Sequence, residues 1–455
     1  MPKVLSLVRE LLSNSGSRRQ RIEDGGALRA EASRHKKQSK PGASIATRYS
    51  FDELKSYICN VDIPKSIGSV RAELTTVKLI GSYSWHKSET DPKPCIVIPA
   101  CPPIWSPQPV SMMRGEGAQG IIRTDYNQSH SPHSPLAPLL HTVKVCRPDF
   151  DLASVAVITD SANLSKLFLY LRHPESCPPF RIYGEVVLNT LILTQWEPQS
   201  TPQPSCNMPF REEYARFQTK TAPGSHTPVG HYVIQCFESG KHKVVVRAEV
   251  DACTGVNACV SPLPRRIFGN TTNSQPPSPM QQAYHAGLDA IDSLEAENVP
   301  MSPFMPYRLA KRSPPALWEP ILIGTSWLCV PGSRGRLGLD SAAHQLFAQV
   351  PYKDVAVIHP IRTQSGSYTV VAQKDSLPTS ETLPDLGAAL ASIRPLLDEM
   401  RGVIEYESRT GHVAFVTNGN GGTMQAWDIG KRRMAKELRA LVGKDKARGL
   451  WEDTA

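Results

Sequence analysis

Apolar positions along this chain change their period several times, and each change marks an element. From 69 to 85, "SVRAELTTVKLIGSYSW" alternates apolar with polar residues, the two-residue period of a half-buried strand. After the Pro-rich stretch "DPKPCIVIPACPPIWSPQP", the run "CRPDFDLASVAVITD" predicts a short strand around Val155 to Ile158. The period then lengthens. Leu164, Leu167, Phe168 and Leu171 recur at helical spacing, and Asp160 or Ser161 can cap a helix that begins near Asn163. "FRIYGEVV" and "TLILTQW" predict a hairpin across "LN", and "HYVIQCF" and "KVVVRAEVDA" predict a second across "ESGKH". In the last third, "SAAHQLFAQV" reads as helix and "DVAVIH" and "YTVVAQ" as strands. Leu386, Leu390, Ile393, Leu397 and Met400 share one face of a further helix, which Pro395 can kink. A strand, "HVAFVTN", and a basic helix over 431–455 end the chain.

Strands and helices in mixed order predict an α+β fold with a mixed central sheet and flanking helices. That sheet is expected to hold both 230–251 and the strands near 355 and 370. A helix at about 341–350 should cross over it, because a parallel neighbour needs a covering connection.

Composition adds boundaries. With 455 residues, 40% hydrophobic content and a mean hydropathy of −0.29, the chain can bury a sizeable core. Its 40 prolines cluster, and eleven of them fall in 261–320, which reads as a long insertion. The net charge of +9 is uneven, since residues 1–40 hold ten Lys or Arg against four acids. Residues 1–46 therefore read as a disordered basic arm, whose "SRRQR" and "RHKKQSK" runs suit RNA or a protein partner. The main domain should span 47–430. Ten cysteines without a CxxC pair, no signal peptide and no membrane span point to reduced thiols in the nucleus or cytoplasm.

One strand carries candidate chemistry. In "KHKVVVRAEVDAC", residues 241–253, Val245, Arg247, Glu249 and Asp251 share one face, while Val244, Val246 and Ala248 share the core face. Two carboxylates ending an apolar run lose hydration and repel one another, so something must offset them. A divalent metal does so; so does a strand end that reaches solvent, with Arg247 supplying a salt bridge. Lys353, His344 and His359 could sit near the same centre, though a structural role suits each.

Two resemblances add to this. "SYSW", "CIVIPACPPIW", "SPLAPLLHTVKVCRPDFDLASVAVITDSANLSKLFLYLR" and "FRIYGEVVLNTLILTQWE" resemble a fungal family of poorly defined function, in patches from about 70 to 430. Some of its members are called geranylgeranyl pyrophosphate synthetases, which implies prenyl or secondary metabolism. This chain has no Asp-Asp pair, hence no DDxxD motif to hold the magnesium ions of a prenyl diphosphate.

More distantly, "FREEYARF" followed by "KVVVRAEVDAC" is similar to the decapping exoribonuclease family, which has a PD-(D/E)XK nuclease core. There an acid before a Tyr, a Glu-x-Asp and a downstream acid-x-Lys ligate divalent metals. The resemblance implies Glu212, with Glu213 as its neighbouring competitor, and Glu249 with Asp251 as metal ligands and catalytic acids for Mg2+ or Mn2+. The last element is missing. Only Glu53-x-Lys55 and Asp91-x-Lys93 match it, both before the Glu-x-Asp strand, and "SWLCVPGSRGR" stands where it is expected. The expected function is thus a decapping-nuclease-like protein with a degenerate metal site, binding RNA 5′ ends or other phosphodiesters. A non-catalytic scaffold is the alternative.

Overall fold

Val244 to Ala248 are buried without interruption, so the strand bearing the paired acids has core on both faces. The computed structural model describes residues 53–64, 74–86, 94–100, 102–108, 112–113, 125–132, 134–196, 208–220, 228–240, 242–253, 297–299, 308–311, 320–327, 343–350, 352–362, 368–376, 386–419 and 423–430. The arm at 1–46, the basic helix over 431–455 and nearly all of the Pro-rich 261–320 stretch lie outside the described residues. The described residues belong to one unit, Ser50–Ala455. Among them no helix is long and apolar enough to cross a membrane.

The larger sheet has 12 strands. Their order is β1 (Leu54–Val61), β19 (Met424–Ile429), β18 (His412–Thr417), β7 (Phe180–Val187), β8 (Thr190–Gln195), β6 (Val155–Asp160), β11 (His242–Val250), β10 (Pro228–Ser239), β2 (Leu74–His86), β3 (Cys95–Ile98), β14 (Arg308–Lys311) and β13 (Glu297–Val299). The second sheet has seven strands, in the order β5 (Met112–Met113), β17 (Tyr368–Ser376), β16 (Tyr352–Arg362), β15 (Pro320–Trp327), β12 (Ala252–Cys253), β4 (Ile104–Trp105) and β9 (Thr219–Lys220). Both predicted hairpins form, as β7–β8 and β10–β11. The sheet is mixed: β6 runs parallel to both β8 and β11.

Helices among the described residues include α1 (Tyr126–His130), α2 (Ala137–Cys146), α3 (Ser161–Arg172), α4 (Met208–Gln218) and α5 (Leu386–Gly402), beside a short one at 343–347. Leu164, Leu167 and Phe168 of α3 and Ile393 and Leu397 of α5 pack in one core with Val244 and Val246. Leu139, Leu140 and Val143 of α2 pack in another with Val245, Ile158 and Ile234. Flanking helices on both faces explain why β11 carries no polar face to mark its exposure. The expectation of a single core face on β11 is corrected accordingly, with Val245 fully buried.

A second correction concerns sheet membership. β11 lies in the larger sheet and β16 and β17 in the second, although one sheet was expected to hold all three. The cause is local: the chain bends at Asp251, and β12 leaves the line of β11 to pair with β15. The covering helix between β15 and β16, which do run parallel, ends at 347 rather than 350, and 341–342 lie outside the described residues.

Arg247 ties the larger sheet together. Its Nε donates to Asp160 Oδ1 at 2.6 Å, and one terminal nitrogen donates to Tyr83 Oη at 3.2 Å and to the Pro135 carbonyl. The other terminal nitrogen reaches Asp125 Oδ2 at 3.4 Å. Tyr83 in turn donates to Asn127 Oδ1 at 2.6 Å, as does Trp85 Nε1 at 3.0 Å. Asp125 Oδ1 accepts from Tyr232 at 2.9 Å and from Asn127 Nδ2 at 2.7 Å, and it caps α1 through the Asn127 backbone N–H. Burial opposes the charge on Arg247, but Asp160, Tyr83 and Asp125 outweigh that and hold its pKa well above the ordinary value. Burial pushes both phenols up, so Tyr83 and Tyr232 remain hydrogen-bond donors. Asp160 is the residue before α3 but makes no side-chain cap bond to it, because its carboxylate is engaged by Arg247.

Arg247→Leu is expected to destabilise the fold by about 3–5 kcal/mol, because it strands Asp160 as a buried charge. Pairing it with Asp160→Leu should recover much of that loss, which urea unfolding of the single and double variants measures. Acid should weaken α2 separately. Burial, with Lys144 adding to it, lowers the His141 pKa from 6.5 to about 4, so the fold holds this ring neutral while the unfolded chain takes up a proton. Stability from this site is present above pH 6.5 and falls as pH drops toward 4. His141→Gln should flatten that part of a Tm–pH profile.

Candidate functional site

β11 places the two acids differently. Glu249 is half-buried on the strand itself, opposite Tyr232 in the β10–β11 register. Its charge joins burial and Asp125 in raising the Tyr232 phenol, which puts its carboxylate on the side of the Arg247 cluster. Asp251 is half-buried at the bend between β11 and β12, where the chain passes from one sheet to the other. The apolar seam beside that bend is built from both sheets: Val233, Ala248 and Val250 pack with Cys253 and Leu322.

Arg247 does not pair with these acids. Its guanidinium points to Asp160, Asp125, Tyr83 and Pro135, which corrects the expected strand-end salt bridge. The reason is the double burial of β11: an arginine inside the sheet needs partners there, and the carboxylates that meet it come from β6 and from the start of α1. Sequence reasoning missed Asp125, Tyr83 and Tyr232 as members of this cluster. The signal was Arg247 itself, a lone cation within an apolar run.

Glu212 and Glu213 lie on α4, which packs on β15, the neighbour of the strand that follows Asp251. Glu213 is half-buried, and the side chain of Glu212 lies outside the described residues. The end of α4 is fixed in place. Gln218 is buried, accepts from the Gln108 backbone N–H at 3.0 Å and donates to its carbonyl at 2.9 Å. β15 itself reads "PILIGTSW" and holds neither an acid nor a lysine. Of "SWLCVPGSRGR", only Ser326 and Trp327 fall among the described residues.

The other side chains considered from the sequence lie on β16 and beside the start of α3. Lys353 is half-buried on β16, one strand beyond β15, and stands opposite Asp375 of β17. His344 Nδ1 lies 3.5 Å from Ser161 Oγ at the start of α3. The side chain of His359, on β16, lies outside the described residues. Among the described residues no three His, Cys, Asp or Glu side chains group as a metal ion requires. Glu249 and Asp251 would supply two of the six or more oxygens that a hard cation takes. The described set does not fit a bound Mg2+ or Mn2+ by itself.

No curated protein matches the chain. Among solved structures, S. pombe Rai1 in complex with 3'-FADP superposes with a TM-score of 0.50 at 10% identity, covering 82% of this chain and 99% of that one. S. pombe Rai1 in another crystal structure gives 0.49 at 10% identity over 81% and 97%. Candida albicans Rai1 in complex with pU5-Mn2+ gives 0.47 at 9% identity over 86% and 100%. What the first of these shares with this chain is the fold, a mixed sheet with flanking helices. Residues 58–298 match the family described as a domain of unknown function, DUF8563, over more than half of the sequence, and the chain belongs to that family.

Proposed function

We propose that the chain is a decapping-nuclease-like protein that binds RNA 5′ ends or other phosphodiesters and whose metal site is degenerate. The observation that carries this reading is the position of Asp251. It stands at the junction of the two sheets, with the helix bearing Glu212 and Glu213 packed on the neighbouring strand β15. A phosphodiester placed there needs a cation between its charge and the carboxylates of Glu249 and Asp251, and β15 holds no lysine to supply one. The 3'-FADP in S. pombe Rai1 is a ligand of a protein with this fold, and it supports a phosphate-bearing ligand for this chain.

Glu212, Glu249 and Asp251 would be the ligands if Mg2+ or Mn2+ binds, with Glu212, whose side chain lies outside the described residues, supplying the third carboxylate that the described set lacks. The residues present act more simply. Glu249 and Asp251 set two carboxylates at the sheet junction, and Val250, Cys253 and Leu322 pack in the apolar seam beside it. Losing one electrostatic stabiliser typically costs about 100-fold to 1000-fold in rate, so turnover without the missing lysine should be slow or absent. In this reading 47–430 forms the nuclease-like domain, and the basic arm at 1–46 reaches RNA or a protein partner. The non-catalytic scaffold is the second reading, favoured by β15, whose sequence "PILIGTSW" supplies neither an acid nor a lysine beside the strand that follows Asp251.

Fluorescence anisotropy with a 5′-phosphorylated oligouridylate tests the proposal. Wild type should bind it better than the 5′-hydroxyl form, with an affinity that falls as salt rises. In parallel, Mn2+ should raise the Tm of wild type and leave that of Asp251→Ala unchanged. Absence of RNA binding at low salt contradicts the proposal, and absence of Mn2+ stabilisation as well leaves the scaffold.

A further inference from the structure

The last turn of α4 and the strand after it present an aromatic ring and two cations to solvent. Phe217 is 48% exposed, and Arg216 and Lys220 beside it are both exposed. Neither cation has an acidic partner among the described residues. The segment lies at the border of the second sheet, since β9 is its terminal strand. From Lys220 the sheet leads through Ile104 to Cys253, two inter-strand steps or about 10 Å from the strand that follows Asp251.

We infer that Arg216, Phe217 and Lys220 form a docking edge for single-stranded RNA, which carries the strand away from the Asp251 junction. The chemistry matches in kind. An exposed ring offers a stacking face to any base, and flanking cations meet the phosphates on either side of it. Charge complementarity separates this ligand from an apolar partner, because an apolar surface would bury both cations without pairing them.

The edge is rigid. Gln218, between Phe217 and β9, is held by both of its amide atoms to the Gln108 backbone, and its carbonyl accepts from Ser106 N–H at 2.8 Å. Thr219 Oγ1 donates back to the Ala215 carbonyl at 2.8 Å. A ring presented on a fixed backbone loses little freedom when a base stacks on it. Of the two acids one turn earlier on α4, Glu213 is half-buried and the side chain of Glu212 lies outside the described residues. The inference rests on the RNA-binding reading for its class of ligand, and it assigns a surface that reading does not use.

The test is anisotropy with single-stranded oligouridylates of about ten nucleotides, within the usual site size of such surfaces. Phe217→Ala should weaken binding about tenfold, the effect of one lost base stack, and Phe217→Trp should restore it. Arg216→Ala and Lys220→Ala should each lower the slope of log K against log salt by about 0.7. All three side chains are exposed, so the melting temperature should not move; a variant that lowers it is replaced by Phe217→Ser or Lys220→Gln. Unchanged affinity in Phe217→Ala and in the doubly substituted Arg216→Ala, Lys220→Ala protein overturns the inference. Dependence on Phe217 without any preference for a 5′-phosphate supports the docking edge and contradicts the 5′-end reading. A wild type that binds no RNA overturns both.

Discussion

A buried guanidinium must be matched where it lies, and around Arg247 that requirement shapes the larger sheet. Its partners come from β6, β2, the start of α1 and the loop before α2, so each of those segments is fixed relative to β11. Tyr83 and Tyr232 stack at 4.9 Å beneath the cluster and join it through Asn127 and Asp125. A hydrophobic residue of similar volume could fill the same space with less desolvation cost. What the charge adds is orientation, because each of its bonds accepts only one arrangement of the neighbouring strands.

That orientation reaches the junction of the two sheets directly. Arg247 precedes Glu249 by two residues on the same strand and faces the same side. Fixing Arg247 therefore fixes where Glu249 emerges and where the chain bends at Asp251. The acids are presented by a rigid strand end, while the strand that would complete them, β15, is wholly uncharged.

Much of the fold was legible where local period decides structure. The hairpin from 228 to 250, the helix around Leu164 to Leu171 and the helix around Leu390 to Met400 all follow from spacing of apolar residues. The two-sheet division was not legible, because it depends on a bend at Asp251 and on two-residue strands such as β12, β4 and β9 that are too short to show a period. Burial of β11 on both faces hid the role of Arg247 for a related reason: a strand buried on both sides gives no sign of which way its buried charge turns. At the candidate site the pair Glu249 and Asp251 was visible in the sequence as two acids closing an apolar run. Their surroundings are tertiary, and the uncharged neighbour β15 became visible only once the register was known.

Single-turnover incubation of excess wild-type protein with 5′-phosphorylated or capped RNA, in Mn2+, tests the degenerate site most directly. A degenerate site predicts that the RNA is held but remains uncleaved, or is cleaved no faster than by Asp251→Ala. Robust metal-dependent hydrolysis by wild type that disappears in Asp251→Ala would contradict it.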